Sequence, residues 1–273
     1  MSLSPADFDF IRELVLRKSA IVLEPGKEYL AEARLTPLAR REGLHGIGEM
    51  VDQLRERPHS PLQSKIVAAM TTNETSFFRD RHPFEAMREG LFPELIESRR
   101  SQRQLDIWCA ACSSGQEPYS IAMTLRQQFP ELGSWDLQLL ATDLNEEMVQ
   151  RAAAGRFSQL EVNRGLPATM LIEYFERDGV EWQVKDSLRK MIRFRVFNLL
   201  DSWATLPRMD LIIMRNVLIY FSQEVKKRIL AQVRGQLRPG GYLLLGSAET
   251  TLNIDSEFER IKVGKTSCYR PKA

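Results

Sequence analysis

Along the first 75 positions apolar residues return every three or four places, the period of one helix face. Phe8, Ile11, Leu14 and Val15 form the first such stripe. Ser4 stands ahead of it as an N-cap, Pro5 takes the first helical position and Asp7 the first turn, where these residue types are favoured. Pro25-Gly26 breaks the pattern, which resumes over 27–42 and stops at Gly43. Two shorter helices are expected over 47–57 and 61–70. No alternating stretch interrupts them, so residues 1–75 read as a small all-α domain, followed over 76–104 by a linker and leading helix.

From residue 105 the texture changes. Short runs of branched apolar residues at 105–109, 137–141, 211–214 and 242–246 alternate with helical stretches beginning near Glu117, Asn145 and Ser222. That alternation predicts an α/β domain over 105–273, a parallel sheet flanked by helices. Between 157 and 196 the rhythm breaks around Asp178-Gly179, with β character at 181–184 and 191–196. This stretch reads as an antiparallel insertion outside the main sheet.

Composition mostly excludes. The chain has 273 residues, 43% hydrophobic and 27% charged, the make-up of an ordinary globular protein. A net charge of +2 implies no wholesale attraction to nucleic acid or acidic membrane, so charge recognition must come from local patches. No apolar run approaches the roughly 18 residues of a membrane span, and the first residues lack a secretory pattern. Three cysteines, Cys109, Cys112 and Cys268, make an odd count that favours free thiols in a reducing compartment. A cytoplasmic monomer is the expectation.

Candidate chemistry gathers first at the strand-to-helix turn Ala110-Ala111-Cys112-Ser113-Ser114-Gly115. Small residues there let a ligand approach the backbone. Asp143 closes the second strand, where a carboxylate can bind both hydroxyls of a ribose. Glu117 opens the following helix, where a diphosphate would be repelled. Either it simply complements the helix dipole, or it attracts a cation such as the ammonium of S-adenosylmethionine; the residue alone leaves both open. Trp108-Cys109-Ala110-Ala111-Cys112 raises a dithiol or metal reading. No second paired spacing exists, His45, His59 and His82 are scattered, and no metal is expected. Buried thiols filling a tight turn are the favoured reading. Leu237-Arg238-Pro239-Gly240-Gly241-Tyr242-Leu243 and the Asp210 before Leu211 resemble patterns of Rossmann-like methyltransferases. In that fold residues 266–269 would form an antiparallel edge strand.

More specific motifs follow one another through the chain. Met70-Thr71-Thr72-Asn73-Glu74-Thr75-Ser76-Phe77-Phe78-Arg79-Asp80, Glu117-Pro118-Tyr119-Ser120, Asn198-Leu199-Leu200 and Arg215-Asn216-Val217-Leu218-Ile219-Tyr220-Phe221 together resemble the CheR family of chemotaxis receptor methyltransferases. The resemblance covers nearly the whole chain. It implies a Rossmann-like S-adenosylmethionine-dependent methyltransferase sheet, an inserted antiparallel β-subdomain and a small N-terminal all-α domain. It also implies methyl transfer to glutamate side chains of methyl-accepting chemotaxis receptors, with S-adenosylhomocysteine as product. Carried over by motif, Asn73, Thr75, Arg79, Glu117, Asp143, Asn198, Leu199, Arg215 and Asn216 would line the cofactor site. Arg79 and Tyr220 would face the reacting carboxylate. Arg34, Arg40 and Arg41 would dock acidic receptor helices or form a solvated face, and a soluble regulatory protein is a further conceivable partner. The short Asp178-Gly179 turn predicts docking without a tethering receptor-tail peptide. A nucleic-acid methyltransferase and a cofactor-binding regulatory module without catalysis are the competing classes. The first lacks an aromatic-basic module, and intact Arg79 and Tyr220 speak against the second.

Overall fold

A computed structural model of the chain describes residues 3–272. Four helices open it: α1 (Pro5–Ser19), α2 (Glu28–Arg41), α3 (Ile47–Glu56) and α4 (Leu62–Met70). The Ser4 hydroxyl accepts from the Asp7 N–H at 3.1 Å, the N-cap that the sequence predicts. Phe8, Ile11, Leu14 and Val15 bury against Leu35, Leu38, Met50 and Ile66, so the apolar stripes of the bundle close on one another.

A short α5 (His82–Ala86), a π-helical turn at Met87–Leu91 and α6 (Phe92–Arg99) lead into the α/β domain. Its elements are β1 (Gln104–Ala110), α7 (Gln116–Gln128), β2 (Asp136–Asp143), α8 (Glu146–Ala154), β3 (Arg156–Ser158), α9 (Gln159–Asn163) and α10 (Ala168–Tyr174). Then come β4 (Phe175–Asp178), β5 (Glu181–Val184), α11 (Asp186–Arg189), β6 (Ile192–Val196), β7 (Met209–Met214), α12 (Gln223–Gln236), β8 (Leu237–Leu245), β9 (Phe258–Val263) and β10 (Thr266–Pro271). The seven-stranded sheet runs β6-β2-β1-β7-β8-β10-β9. Its first five strands are parallel and β10 is antiparallel to both of its neighbours. β1 and β7 are buried along almost their whole length, as strands covered on both faces must be.

Two expectations are corrected. Residues 192–196 do not belong to the antiparallel insertion: β6 pairs in parallel with β2 and forms one edge of the main sheet. Arg193 and Arg195 alternate with Ile192 and Phe194 because an edge strand is half solvated. The separate three-stranded sheet is β3-β5-β4, confined to residues 156–184. Likewise β10 is antiparallel as expected but is not the edge. Cys268 and Tyr269 are buried, whereas β9 carries the exposed Glu259, Arg260 and Lys262 suited to an edge.

At the start of β7, Asp210 is fully buried and binds Arg99 Nε at 2.6 Å, Arg238 Nη1 at 3.0 Å and the Asp106 N–H at 2.9 Å. Arg238 also reaches Asp106 Oδ2 at 2.5 Å, and Arg99 donates to the Pro239 carbonyl. This knot ties α6, β1, β7 and β8 at the end of the sheet away from the cleft described next. No helix among the described residues is long and apolar enough to cross a membrane.

Candidate functional site

Between β1 and β7 the chain switches direction across the sheet, and open α/β sheets bind ligands outside the strand carboxyl ends at such a point. An open cleft lies there, at the place where such folds hold small-molecule ligands. It is bordered by all ten residues that the motifs single out as cofactor-binding or catalytic: Asn73, Thr75, Arg79, Glu117, Asp143, Asn198, Leu199, Arg215, Asn216 and Tyr220.

The floor is the turn after β1. Ala111, Ser113 and Gly115 all take positive φ, at a cost of about 1–3 kcal/mol for each non-glycine residue. Glycine is required at 115, where a Cβ would stand 2.9 Å from that of Ala152. Asp143 accepts from the N–H groups of Ser113 at 2.7 Å and Asn145 at 2.9 Å, and burial pushes its pKa up. The Ser113 hydroxyl donates to the Asn73 carbonyl at 2.9 Å, joining floor to linker.

Glu117, in the first turn of α7, is paired within the protein. Its Oε1 accepts from Arg215 Nη1 at 2.5 Å and its Oε2 from the Cys109 thiol at 3.2 Å. Arg215, its side chain 1% exposed, also donates to Asp80 Oδ2 at 2.7 Å and the Arg79 carbonyl at 3.0 Å. Burial opposes its charge, but Glu117 and Asp80 hold its pKa above the usual arginine range. Its Nε is buried without a partner among the described residues. Two carboxylates against one guanidinium, with an orphan donor beside them, suit a zwitterionic, net-cationic ligand such as S-adenosylmethionine.

The α-domain closes one side. Ser19 and Ile21 border the cleft, the Val22 N–H donates to the Tyr220 carbonyl at 3.2 Å, and Asn198 Nδ2 donates to the Lys18 carbonyl at 2.7 Å. No spacing in the sequence foretells Ser19 or Ile21, because their roles depend on how two domains pack. Of the three arginines on α2, Arg34 is turned inward. It donates to the Met70 and Thr71 carbonyls at 2.7 and 2.9 Å and to Thr72 Oγ1 at 3.1 Å, fixing the start of the linker. Arg40 and Arg41 are exposed, with Arg41 3.6 Å from Glu147.

Sequence reasoning also missed Asp80 and Glu249. Asp80 follows Arg79 inside a motif already quoted, so its acid type was a usable signal. Glu249 lies beyond every quoted motif. All three cysteines are free and buried, and burial raises each thiol pKa. No cluster of three or more metal-ligating side chains forms among the described residues.

The sheet order and the cleft at its switch point are those of an open nucleotide-type α/β fold, and the family match defines the class as an S-adenosylmethionine-dependent methyltransferase. Residues 73–266 match the CheR methyltransferase SAM binding domain and residues 6–71 the CheR all-alpha domain. The chain belongs to the CheR methyltransferase family. It is 42% identical to chemotaxis protein methyltransferase 1 of Pseudomonas aeruginosa over 276 residues, covering 100% of each chain. Chemotaxis protein methyltransferase Cher2 of Pseudomonas putida is 40% identical over the same span and coverage. A chemotaxis protein methyltransferase of Vibrio parahaemolyticus is 38% identical over 97% of this chain and 96% of that one.

Proposed function

We propose that the protein transfers the methyl group of S-adenosylmethionine to glutamate side chains of chemotaxis receptors, giving methyl esters and S-adenosylhomocysteine. The observation that carries this reading is the meeting of Arg79 and Tyr220 with Glu117, Asp143 and Arg215 around one cleft.

The cofactor supplies an electrophilic methyl on a sulfonium. Asp143, its carboxylate aimed by two backbone N–H groups, would hold ribose hydroxyls. Glu117 and Arg215 would hold the ammonium and carboxylate ends of the methionine portion, while Asn73, Thr75, Asn198, Leu199 and Asn216 complete the walls. A glutamate acceptor, with an ordinary pKa of about 4.3, is already ionised at neutral pH, so no general base is needed. Arg79 spends one donor on the Glu74 carbonyl at 2.8 Å and keeps others for an acceptor oxygen. The Tyr220 hydroxyl can donate a second bond. Both fix the orientation of the carboxylate, and neither transfers a proton. Enclosure by α1, the linker and the loop after β7 removes water that would shield nucleophile from electrophile.

Arg40 and Arg41 would meet the acidic faces of receptor signalling helices on the cytoplasmic side, with Arg34 acting instead on the linker. The test uses labelled S-adenosylmethionine with receptor-rich membranes or with RNA. Label on protein that mild base releases as methanol is expected. Stable label on RNA, or label on neither, overturns the proposal.

A further inference from the structure

Glu249 lies in the loop after β8, 9% exposed, with no cation beside its carboxylate among the hydrogen bonds and ion pairs of the described residues. Four backbone N–H groups meet it instead. Oε2 accepts from Asn216 at 2.7 Å and Gly246 at 2.8 Å; Oε1 accepts from Val217 at 2.9 Å and Ile219 at 3.3 Å. The Glu249 N–H returns to the Gly246 carbonyl at 2.9 Å. A buried carboxylate is expensive unless its lone pairs are filled, and here the protein fills them with one N–H of its own loop, at Gly246, and three of the loop after β7.

That loop carries Arg215, Asn216 and Tyr220. Within it Asn216 stands at φ 59°, a left-handed conformation that asparagine tolerates better than other non-glycine residues and that the Glu249 bond to its N–H holds in place. Without Glu249 its N–H groups at 216, 217 and 219 lose their acceptor, and the loop is left to the single turn at Leu218–Tyr220, the buried Leu218 and Phe221 and the Val22 bond to the Tyr220 carbonyl. Gly246 fits the same purpose. A Cβ at 246 would stand 2.7 Å from Glu249 Oε2 and 2.9 Å from the Asn216 nitrogen, so the clamp closes only over glycine.

We propose that Glu249 is a positioning residue for methyl transfer, acting through the 215–220 loop to set the Tyr220 phenol against the acceptor carboxylate. The inference rests on the function proposed above. Displacements of about 1 Å at a reacting centre can cost about 100-fold in rate. A carboxamide keeps the length of the side chain but turns an amide donor toward backbone donors, so it releases half of the clamp.

The experiment compares wild-type protein, Glu249→Gln, Tyr220→Phe and the double variant, measuring kcat at saturating cofactor, cofactor Kd and urea stability. Glu249→Gln is expected to lower kcat about five- to tenfold, within the loss caused by Tyr220→Phe, with a smaller change in Kd. In the Tyr220→Phe background the same change should cost less than about threefold, because the two act through one contact. Independent, additive effects would overturn the inference, as would an unchanged kcat. Gly246→Ala is the second probe, expected to reproduce the loss of kcat by wedging the carboxylate away from Asn216. A Gly246→Ala protein of wild-type kcat would count equally against the clamp. If wild-type protein itself transfers no methyl to receptors, the proposed function has failed; an unchanged kcat in Glu249→Gln beside active wild-type protein means that the positioning inference alone has failed.

Discussion

The strand β7 starts at a buried ion cluster and ends in another, and the two differ in balance and in setting. At its start Asp106 and Asp210 face Arg99 and Arg238, two charges against two, with no positive-φ residue among the four. At its far end Arg215 faces both Glu117 and Asp80, one cation against two carboxylates. Around this second cluster Phe78, Asp80, Arg81, Ala111, Ser113 and Asn216 all hold positive φ. The first cluster lines no part of the cleft; the second borders it through Glu117 and Arg215. Ion pairs that close on themselves fasten the sheet. Ion pairs left unbalanced on strained backbone are prepared for something that arrives later, here a ligand whose own charge completes the set.

The largest expected effect separates the two ends. Asp210→Ala leaves Arg99 and Arg238 without their shared carboxylate, and breaking a buried pair costs about 3–5 kcal/mol. Urea unfolding should report that loss, while the folded protein keeps its cofactor Kd within about twofold of wild type. A parallel collapse of cofactor affinity would erase the distinction. Glu117→Gln should do the reverse. The amide oxygen still accepts from Arg215, so stability changes little, but the negative charge is gone. A lost charged hydrogen bond of about 1.5–3 kcal/mol corresponds to a rise in cofactor Kd of roughly 10- to 150-fold by calorimetry. Tyr220→Phe comes next: it should lower kcat up to about tenfold, the worth of one hydrogen bond, with cofactor Kd unchanged.

Much of this was legible in the chain because it rests on local patterns. The Ser4 cap, the apolar stripes of α1 and the run from β1 into the small-residue turn are short-range signals, and motifs in order brought ten residues to one cleft. What escaped depends on distance. The strand β9, Phe258–Val263, was missed because charged residues alternate along it as they do in loops, and only its pairing with β10 makes it a strand. β6 was misplaced because half-exposed alternation marks an edge without saying of which sheet. The sequence leaves Glu117 open between complementing the helix dipole and attracting a cation; it does not show that Arg215, 98 positions away, already holds one of its oxygens. Arg34 shared a helical face with Arg41, yet the start of the linker claims it.

The smallest expected effect concerns the paired cysteines. Cys109 is fully buried, and burial first, with the Glu117 carboxylate adding to it, pushes its pKa well above the ordinary range. It therefore stays a protonated thiol and donates to Glu117 Oε2 instead of acting as a nucleophile or half of a redox pair. Cys109→Ser retains a donor and should leave the cofactor Kd within about twofold; Cys109→Ala removes it and should raise Kd about threefold, the worth of a weak hydrogen bond. The Cys112 thiol bonds only a backbone carbonyl, that of Ser113 at 3.7 Å, so Cys112→Ala should change neither Kd nor kcat. The linkage has a definite sign. Because the folded thiols have raised pKa values, their share of stability is complete below about pH 8.5, where an unfolded thiol stays protonated, and is lost as pH rises beyond it. A redox role would look different: activity lost under mild oxidation and protected by either alanine substitution. That outcome would move the Cys109-Ala110-Ala111-Cys112 turn from the packed floor of the cleft to its reactive part, and with it the contrast between the two ends of β7.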